Sequence, residues 1–550
     1  MAFNFRQVSS LYPKVHLFPS DSEMISYLST FRKEYIVTRM MKSCTSCGDV
    51  QNFSVTDPKP ESCKLDDGRP CASCIELESF DSKAEAILER LSEDRRKILT
   101  KINQRHDPFI QHLPLELASQ IFAFSIPSQD PDDDPGYIPL IWDDLEYHCI
   151  QPFNIVLGAV CHAWRQVAWS TPKLWSTLPI SLHRFDDRAY KDLVLEWLGR
   201  SAQTPLDVFL VYIGLGAPEE YVDMWKPLID IANGCSSRWR TFNMCAPHPM
   251  LAYITGDGQG TSMLECLRVG PRDAELYERS PYRFSLTNVM PMPSHLFSTT
   301  MPLRSIDIDW SNLITIEIGE LYINEFLVLL RWAPRLNRCR LISLQDGQDE
   351  QLPPPTPTHH NTLQKLDIQA LDERQTAEQL LGSLILPSLV SLICDSDYNS
   401  RKNIAAFVDR SACRLITFHD LSGDFRDLLA LAPGLHTLEQ LEYPGNFGYG
   451  VYDDELGRNI FPNLRKILIH GGHISWRFLA DLIMTCPPKT LSIHVEHPDS
   501  RDDDFLIDEE SARRFQDLIA NGYNINITCR LWRENKDRDL LAWSVESRMQ

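Results

Sequence analysis

Apolar residues recur in one short pattern, L-x-x-L-x-L, along the second part of the chain, with other apolar residues replacing some leucines. The close copies are Leu264/Leu267/Val269, Leu303/Ile306/Ile308, Leu336/Cys339/Leu341, Leu363/Leu366/Ile368, Leu389/Leu392/Cys394, Cys413/Ile416/Phe418 and Leu464/Ile467/Ile469, and looser ones are Leu435/Leu438/Leu441 and Leu491/Ile493. Successive copies from 264 to 435 lie 39, 33, 27, 26, 24 and 22 residues apart, which leaves room for a strand and a returning helix. Residues 181–550 are therefore predicted to form a solenoid in which each unit packs on its neighbours. An unrelated leucine-rich α/β domain is the alternative.

A long helix is predicted well before these repeats, over residues 76–107. This segment contains neither glycine nor proline, and strong helix formers dominate it. Its residues Leu88, Leu91, Ile98 and Ile102 follow one another at spacings of three, seven and four, which places them on one apolar stripe. Such a stripe normally packs on a neighbouring domain or on a partner helix, and a coiled coil remains an open interpretation.

Two shorter apolar helices are predicted within residues 108–180, on either side of an acidic, proline-rich insert at 127–152. The first begins near Pro114, because proline suits a first helical turn. Its apolar face carries Leu117, Ile121 and Phe124, and the face of the second helix carries Leu157, Val160, Trp164 and Val167. Ser170-Thr171-Pro172 ends the second helix.

Charge and composition exclude some classes of function. The chain has 550 residues and a formal net charge of −21, so nucleic acid and anionic lipid would repel its average field. No stretch has the roughly 18 uninterrupted apolar residues of a membrane span, and the N-terminal segment, 1–40, has no secretory leader pattern. We therefore expect an intracellular protein of the cytoplasm, the nucleus or both, with no membrane partner.

Cysteines concentrate in residues 41–75. Cys44 and Cys47 form one C-x-x-C pair and Cys71 and Cys74 form another, and two such pairs can bind one structural Zn²⁺ tetrahedrally. Free thiols are the other interpretation. The stretch 63–74 resembles the second half of a fungal binuclear zinc-cluster DNA-binding domain, but the cysteine spacing differs and the basic run that would contact phosphates is missing. Nucleic-acid binding is accordingly disfavoured.

The stretches LPLELASQIFAF (113–124) and LGAVCHAWRQVAWSTPKLWSTL (157–178) resemble an F-box of the kind abundant in mushroom-forming fungi. The order of the predicted regions is similar too: a helix, the box, then a leucine-rich-repeat-like region. The insert at 127–152 departs from the family, because it replaces the short link between the helices. The resemblance implies an α+β chain in which a long helix precedes a small all-α F-box hairpin and a leucine-rich-repeat-like α/β solenoid follows it.

F-box proteins bind the Skp-type adaptor of cullin–RING ubiquitin ligases and present a substrate through a second domain. By this resemblance, the residues at or beneath the adaptor contact are Leu113, Pro114, Leu117, Ile121 and Phe122. Those that complete the hairpin are Val160, Cys161, Trp164, Leu174 and Trp175. Aromatic anchors usually carry much of the binding energy, so Trp164 and Trp175 are the expected hot spots.

The resemblance implies a non-catalytic ligase subunit that binds an unknown protein substrate through its solenoid. No Walker A, G-x-S-x-G or H-E-x-x-H motif occurs in the chain, and no resident cofactor is expected apart from the open question of structural zinc. Two alternatives remain. One is a binding scaffold with the same domains that works outside a ligase, and the other is a zinc-cluster transcription regulator.

Overall fold

The structure is a computed structural model, and it describes part of the chain. The described residues are 72–106, 113–126, 153–182, 188–212, 222–259, 262–270, 283–298, 301–345, 356–371, 374–394, 400–420, 435–444, 461–470, 476–485, 490–497, 506–531 and 537–546. The chain divides into two compact units, the first ending at Phe209 and the second beginning at Leu210.

The described residues form both helices and strands, and most of the strands belong to one large, mainly parallel sheet. This confirms the predicted α+β class. The helices are α1 (Ala72–His106), α2 (Leu115–Phe124), α3 (Phe153–Val160), α4 (His162–Trp169), α5 (Arg188–Arg200), α6 (Val222–Asn233), α7 (Ile323–Trp332), α8 (Arg374–Gly382), α9 (Ser400–Ser411), α10 (Trp476–Thr485), α11 (Glu509–Ala520) and α12 (Leu540–Glu546). The strands are β1 (Thr177–Ser181), β2 (Leu206–Val211), β3 (Trp239–Cys245), β4 (Cys266–Gly270), β5 (His295–Ser298), β6 (Thr315–Tyr322), β7 (Arg338–Gln345), β8 (Thr358–His359), β9 (Lys365–Leu371), β10 (Leu384–Ile385), β11 (Ser391–Cys394), β12 (Thr417–Asp420), β13 (Gln440–Pro444), β14 (Lys466–His470), β15 (Thr490–His497), β16 (Asn524–Leu531) and β17 (Asp537–Asp539).

Tryptophans form the core of the first unit. The ring of Trp175 makes edge contacts with Trp169 and Trp197, with centroids 5.3 and 4.9 Å apart. Its indole N–H donates to the Ala168 carbonyl at 2.9 Å, and its own carbonyl accepts from the Trp197 indole at 3.0 Å. The Arg200 guanidinium lies over the Trp169 and Trp175 rings, 4.6 and 4.7 Å from their centroids. These contacts fix α4, α5 and the turn between α4 and β1 as one packed group.

A glycine lets α3 and α4 approach closely. A Cβ atom built on Gly158 would lie 2.0 Å from Cζ3 of Trp169, far inside van der Waals contact. The Gly158 carbonyl accepts a hydrogen bond from Nε of Arg165 at 3.0 Å. Between the two helices, Cys161 is the N-cap of α4, and its Sγ accepts from the Trp164 backbone N–H at 3.4 Å. The connection therefore needs a small residue on α3 and a short polar side chain at the cap.

Parallel strands in chain order form the second unit. From β3 to β16 each strand of the large sheet pairs with the next along the chain, apart from β8 and β10, which form a separate parallel pair. The last strand, β17, pairs antiparallel with β16. Neighbouring strands are parallel and in register, so residues at equivalent positions of successive strands form rows across the sheet.

One aligned row of apolar side chains is buried. Its members are Phe242, Leu267, Leu296, Ile316, Cys339, Leu366, Leu392, Phe418, Leu441, Ile467, Ile493 and Ile527, which are register partners from strand to strand. None is more than 3% exposed. We call this the buried row. Several of its members are the middle apolar residues of L-x-x-L-x-L copies, and it extends beyond the copies recognised in the sequence.

Two copies of the pattern were assigned to the wrong position. Leu392 pairs with Phe418 rather than with Ile416, so the copy at Cys413/Ile416/Phe418 is shifted by two residues. The copy at Leu303/Ile306/Ile308 does not form a strand of the sheet: Leu303–Ser305 is a 3₁₀ turn, and Ile306 forms an isolated bridge with Phe284. Apolar spacing alone does not distinguish a buried turn from a buried strand.

Candidate functional site

Apolar side chains are exposed along α2 in the first unit. Leu117 and Ile121 are 45% and 43% exposed, as expected for a contact surface. Two further residues of α2, Leu115 and Phe124, are 53% and 83% exposed, and neither was predicted as a partner-binding residue. We call Leu117, Ile121 and Phe124, which share one face of the helix, the α2 patch. Leu115 lies on the opposite side of α2, in line with the buried Ala118 and Phe122. The signal for Phe124 was present, because it shares the i, i+4, i+7 face of Leu117 and Ile121.

The other predicted hairpin residues divide between surface and interior. Pro114 is exposed, Val160 is half-exposed, and Leu113, Cys161 and Trp164 are intermediate. Phe122, Leu174 and Trp175 are buried. Phe122 packs on Trp164, with ring centroids 4.9 Å apart, and so couples α2 to α4. Trp175 is only 3% exposed and contacts the core, so its predicted part in binding would be to complete the hairpin rather than to touch a partner.

In the second unit, a row of mostly polar residues crosses the face of the sheet opposite to the buried row. Successive side chains of a strand point to opposite faces, and the residue that follows each buried-row member belongs to this second row. We call it the polar row. Its members are Asn243, Arg268, Phe297, Glu317, Arg340, Asp367, Ile393, His419, Glu442, Leu468, His494 and Thr528. In the sequence, the polar row corresponds to the variable position between the last two apolar residues of each L-x-x-L-x-L copy.

Acidic and basic groups alternate in the middle of the polar row. Nε of Arg340 lies 3.2 Å from Oδ2 of Asp367, and its Nη1 lies 3.8 Å from Oε2 of Glu317. Burial raises the pKa of Glu317 and raises that of Asp367 to about 6, although the Arg340 charge opposes both shifts. Oε1 of Glu317 and Oδ1 of Asp367 are buried and accept no hydrogen bond from the described residues. Each carboxylate therefore has one oxygen that could accept a further hydrogen bond, while its other oxygen lies close to Arg340.

Two histidines and a glutamate form a second polar cluster on the same face. His419 and Glu442 are register partners on β12 and β13, and His470 lies two residues beyond the partner of Glu442 on β14. Nδ1 of His419 is 3.5 Å from Oε1 of Glu442, and Nε2 of His470 makes a hydrogen bond to the same oxygen. Burial alone would raise the pKa of Glu442, but the His470 hydrogen bond and the neighbouring histidine and lysine charges hold it below its ordinary value. Glu442 is thus a carboxylate at neutral pH.

The predicted cysteine site falls mainly outside the described residues. Cys44, Cys47 and Cys71 lie there, whereas Cys74 is in the first turn of α1. That helix begins at Ala72, four residues before its predicted start. Within the ranges that the structure describes, no helix combines the length and apolar content that crossing a membrane requires.

A comparison of the chain with protein-family models found no match, and a comparison with curated proteins found none either.

Proposed function

We propose that the chain is the substrate-recognition subunit of a Skp–cullin–F-box ubiquitin ligase. In this proposal α2, α3 and α4 are the F-box hairpin, and the second unit is a leucine-rich-repeat-like solenoid that binds the target protein. The single observation that carries it is the α2 patch, which exposes three large apolar side chains on one face of a helix of ten residues. Apolar clusters of this kind mark protein interfaces, and a helix that presents them fits an apolar groove on a partner.

The role of the second unit follows from the polar row. An interface needs polar groups that fix orientation as well as apolar area, and this face offers both signs of charge at fixed positions. Its strands form a rigid support, which reduces the entropy lost on binding. The subunit itself would not be catalytic: it would raise the effective concentration of the target near the ubiquitin-charged enzyme, in the cytoplasm, the nucleus or both.

Adaptor capture tests the first half of the proposal. Purified full-length chain is titrated with the Skp-type adaptor, and the dissociation constant is compared for the native chain and for Leu117→Ser/Ile121→Ser. We expect the double variant to bind at least about 100-fold more weakly, because two apolar contacts of about 1.5 kcal/mol or more each are lost. The matched control is Leu195→Ser, a 52% exposed leucine on α5. Equal binding by native chain and double variant, or no adaptor binding by the native chain, contradicts the proposal.

Target turnover tests the second half. Ubiquitin conjugates formed by the reconstituted ligase on captured proteins are compared for the native chain and for Lys365→Glu/Lys466→Glu. These two exposed lysines occupy the position two residues before Asp367 and Leu468, on the face of the polar row. The charge-matched control is Arg477→Glu/Arg513→Glu, at two exposed arginines on α10 and α11. Conjugates should fall with the lysine variant alone. Adaptor binding without any conjugates from the native chain would instead favour a scaffold outside the ligase.

A further inference from the structure

We propose that His419, Glu442 and His470 bind one divalent transition-metal ion, with zinc as the best-fitting metal. The three residues come from the consecutive strands β12, β13 and β14, and one ligand atom from each lies within 4.8 Å of the other two. Nothing in the F-box resemblance calls for an ion at this position. The inference therefore goes beyond the proposed function and does not depend on it.

The donor set and spacing suit zinc. Two imidazoles and one carboxylate are ligands that Zn²⁺ takes at about 2.0–2.2 Å in a tetrahedral arrangement, which puts neighbouring ligand atoms roughly 3.4 Å apart. The 3.5 Å between Nδ1 of His419 and Oε1 of Glu442 already matches that edge. Tetrahedral geometry then leaves a fourth position for water or for an atom of a bound target.

The surroundings favour an ion over the present hydrogen bonds alone. The three side chains are 15%, 18% and 34% exposed, so a metal ion would be partly dehydrated yet reachable from solvent. All three stand on paired strands, which hold ligand atoms more firmly than loops do. Binding replaces the His470–Glu442 hydrogen bond by two metal–ligand bonds.

Zinc titration of the full chain tests this site. The background carries Cys44→Ser, Cys47→Ser, Cys71→Ser and Cys74→Ser, which removes the competing thiolates of the cysteine-rich segment. We expect one equivalent of Zn²⁺ by calorimetry, and at least a 100-fold loss of affinity with His470→Ala or Glu442→Gln. The control is His494→Ala, a histidine of the polar row whose Nδ1 lies 2.9 Å from the Thr528 hydroxyl.

Two results would overturn the site. One is equal zinc affinity of the four-Cys→Ser chain and of the same chain with His470→Ala. The other is no zinc binding above buffer by either chain. Melting temperatures are recorded for every variant. Glu442→Gln keeps the shape of the side chain, so loss of zinc by a variant that still unfolds in one cooperative transition separates a lost ligand from a disrupted fold.

A second inference rests on α1, a helix of 35 residues. Its large apolar side chains are almost all exposed: Leu77, Phe80, Leu88, Leu91 and Ile98 range from 50% to 67%. Leu77, Leu91 and Ile98 share one position of a seven-residue repeat, so they form a seam along one side of the helix. A helix of this length with an uncovered apolar seam is marginal in water, because most helical stability comes from packing that face.

The two halves of α1 carry opposite charges. Residues 72–89 contain five acidic residues and one lysine, for a net charge of −4, and residues 90–106 contain six basic and two acidic residues, for a net charge of +4. This separation favours the single helix through its macrodipole, but it does not cover the seam. Two copies in antiparallel orientation would place each acidic half against a basic half and bury both seams. We infer that α1 joins two copies of this chain as an antiparallel coiled coil.

Sedimentation equilibrium of the full chain, from about 1 to 100 µM, tests the self-association. We expect the native chain to dimerise and Leu91→Glu/Ile98→Glu to remain monomeric, while Leu195→Glu on α5 dimerises like the native chain. A native chain that stays monomeric at 100 µM would mean that a different partner covers the seam, and the inference would be overturned. A dimer unaffected by Leu91→Glu/Ile98→Glu would overturn it as well.

Charge reversal tests the orientation. Glu76→Lys/Glu78→Lys/Asp81→Lys should weaken dimerisation by at least tenfold, because basic halves would then face each other. Adding Arg95→Glu/Arg96→Glu/Lys97→Glu to the same chain should restore it, since the halves again have opposite signs. In a parallel dimer each half of α1 would face the same half of the other copy, so the added Arg95→Glu/Arg96→Glu/Lys97→Glu would not restore opposite charges across the interface. If these added substitutions fail to restore dimerisation, the antiparallel arrangement is contradicted.

Discussion

The α2 patch of the first unit is exposed, whereas the polar row of the second unit is buried or partly buried, and the two carry opposite chemistry. The patch presents Leu117, Ile121 and Phe124, with no charge among them. The polar row presents carboxylates, guanidinium groups and imidazoles that already contact one another. An apolar surface gains free energy from any partner that removes it from water, whereas a satisfied ionic surface must exchange its internal contacts for better ones. The first is suited to one constant partner, and the second to discrimination between partners.

The largest expected effect concerns what lies beneath the α2 patch. Trp175→Ala should destabilise the first unit by about 3–5 kcal/mol, because it leaves a cavity between Trp169 and Trp197 and removes a buried hydrogen bond. Urea unfolding followed by tryptophan fluorescence measures this change. Ile121→Ala is the matched surface variant and should cost less than about 1 kcal/mol. Similar losses of unfolding free energy for Trp175→Ala and Ile121→Ala would contradict the distinction between the buried tryptophan core and the exposed α2 patch.

The next effect separates the two clusters of the polar row by pH. The pKa of Asp367 is raised to about 6 from an ordinary 3.8, so the folded state binds more protons than the unfolded state between these values. Stability from this group therefore decreases as pH rises from about 4 to 6, by up to about 3 kcal/mol. Asp367→Asn should remove that slope in urea midpoints measured at pH 4.5 and 7. A native chain and variant with equal slopes would contradict the assignment.

Glu442 should respond in the opposite direction. Its pKa is held below the ordinary value, so its contribution to stability is present above that ordinary pKa and is lost as pH falls through the folded pKa. Replacing it with glutamine should make the chain less stable at pH 7 by about 1 kcal/mol, with the difference disappearing in acid. Thermal unfolding of native chain and Glu442→Gln at pH 7 and pH 3.5 measures the effect. A larger difference in acid than at neutrality would refute it.

Two glycines of the first unit give a purely steric test. Gly158→Ala should cost about 1–3 kcal/mol, because the new Cβ would overlap the Trp169 ring. Gly199→Ala on α5 meets nothing within 4 Å, and it should be neutral or stabilise by up to about 1 kcal/mol. Both are measured by urea unfolding. Equal effects of the two would mean that α3 and α4 are not as close as they are in the structure.

The smallest effect is that of salt on the two proposed interactions. Raising NaCl from 0.05 to 0.5 M should change adaptor affinity less than about twofold, because apolar contacts are not screened. Target capture by the second unit should fall several-fold over the same range, since charged groups of the polar row contribute to it. Parallel titrations at both ionic strengths check the contrast, and a stronger salt dependence for the adaptor would reverse it.

The sequence predicts the repeating core more fully than it predicts where each repeat lies. The spacing of Leu336, Leu363 and Leu389 leads directly to β7, β9 and β11. Two neighbouring segments, Leu303/Ile306/Ile308 and Leu313/Ile316/Ile318, have the spacing of the pattern. The first is predicted to be the repeat copy, but both are buried. Both segments satisfy the demand for apolar burial, and only the backbone pairing of β6 with β5 and β7 separates them.

The candidate sites show the same limit. That Leu117 and Ile121 share a face is predictable, because one helix determines which of its residues lie together, but their part in partner binding rests on the resemblance alone. The approach of His419, Glu442 and His470 depends on the register of three strands separated by loops of different lengths, and no local pattern contains that information. Trp175 shows a related limit: an aromatic residue can anchor a partner or a core, and only its neighbours in space distinguish the two.

The strand order of the second unit has a mechanical consequence. Each strand is hydrogen-bonded to the strands nearest to it in the chain, so few connections join distant parts of the sequence. A pull on the C-terminus would load β16 and β17 first and pass to β15 only after they had detached. Resistance to such a force would come as a succession of small steps rather than one large one, since each strand of the sheet is hydrogen-bonded only to the strands beside it. Under tension the chain would lengthen gradually from one end.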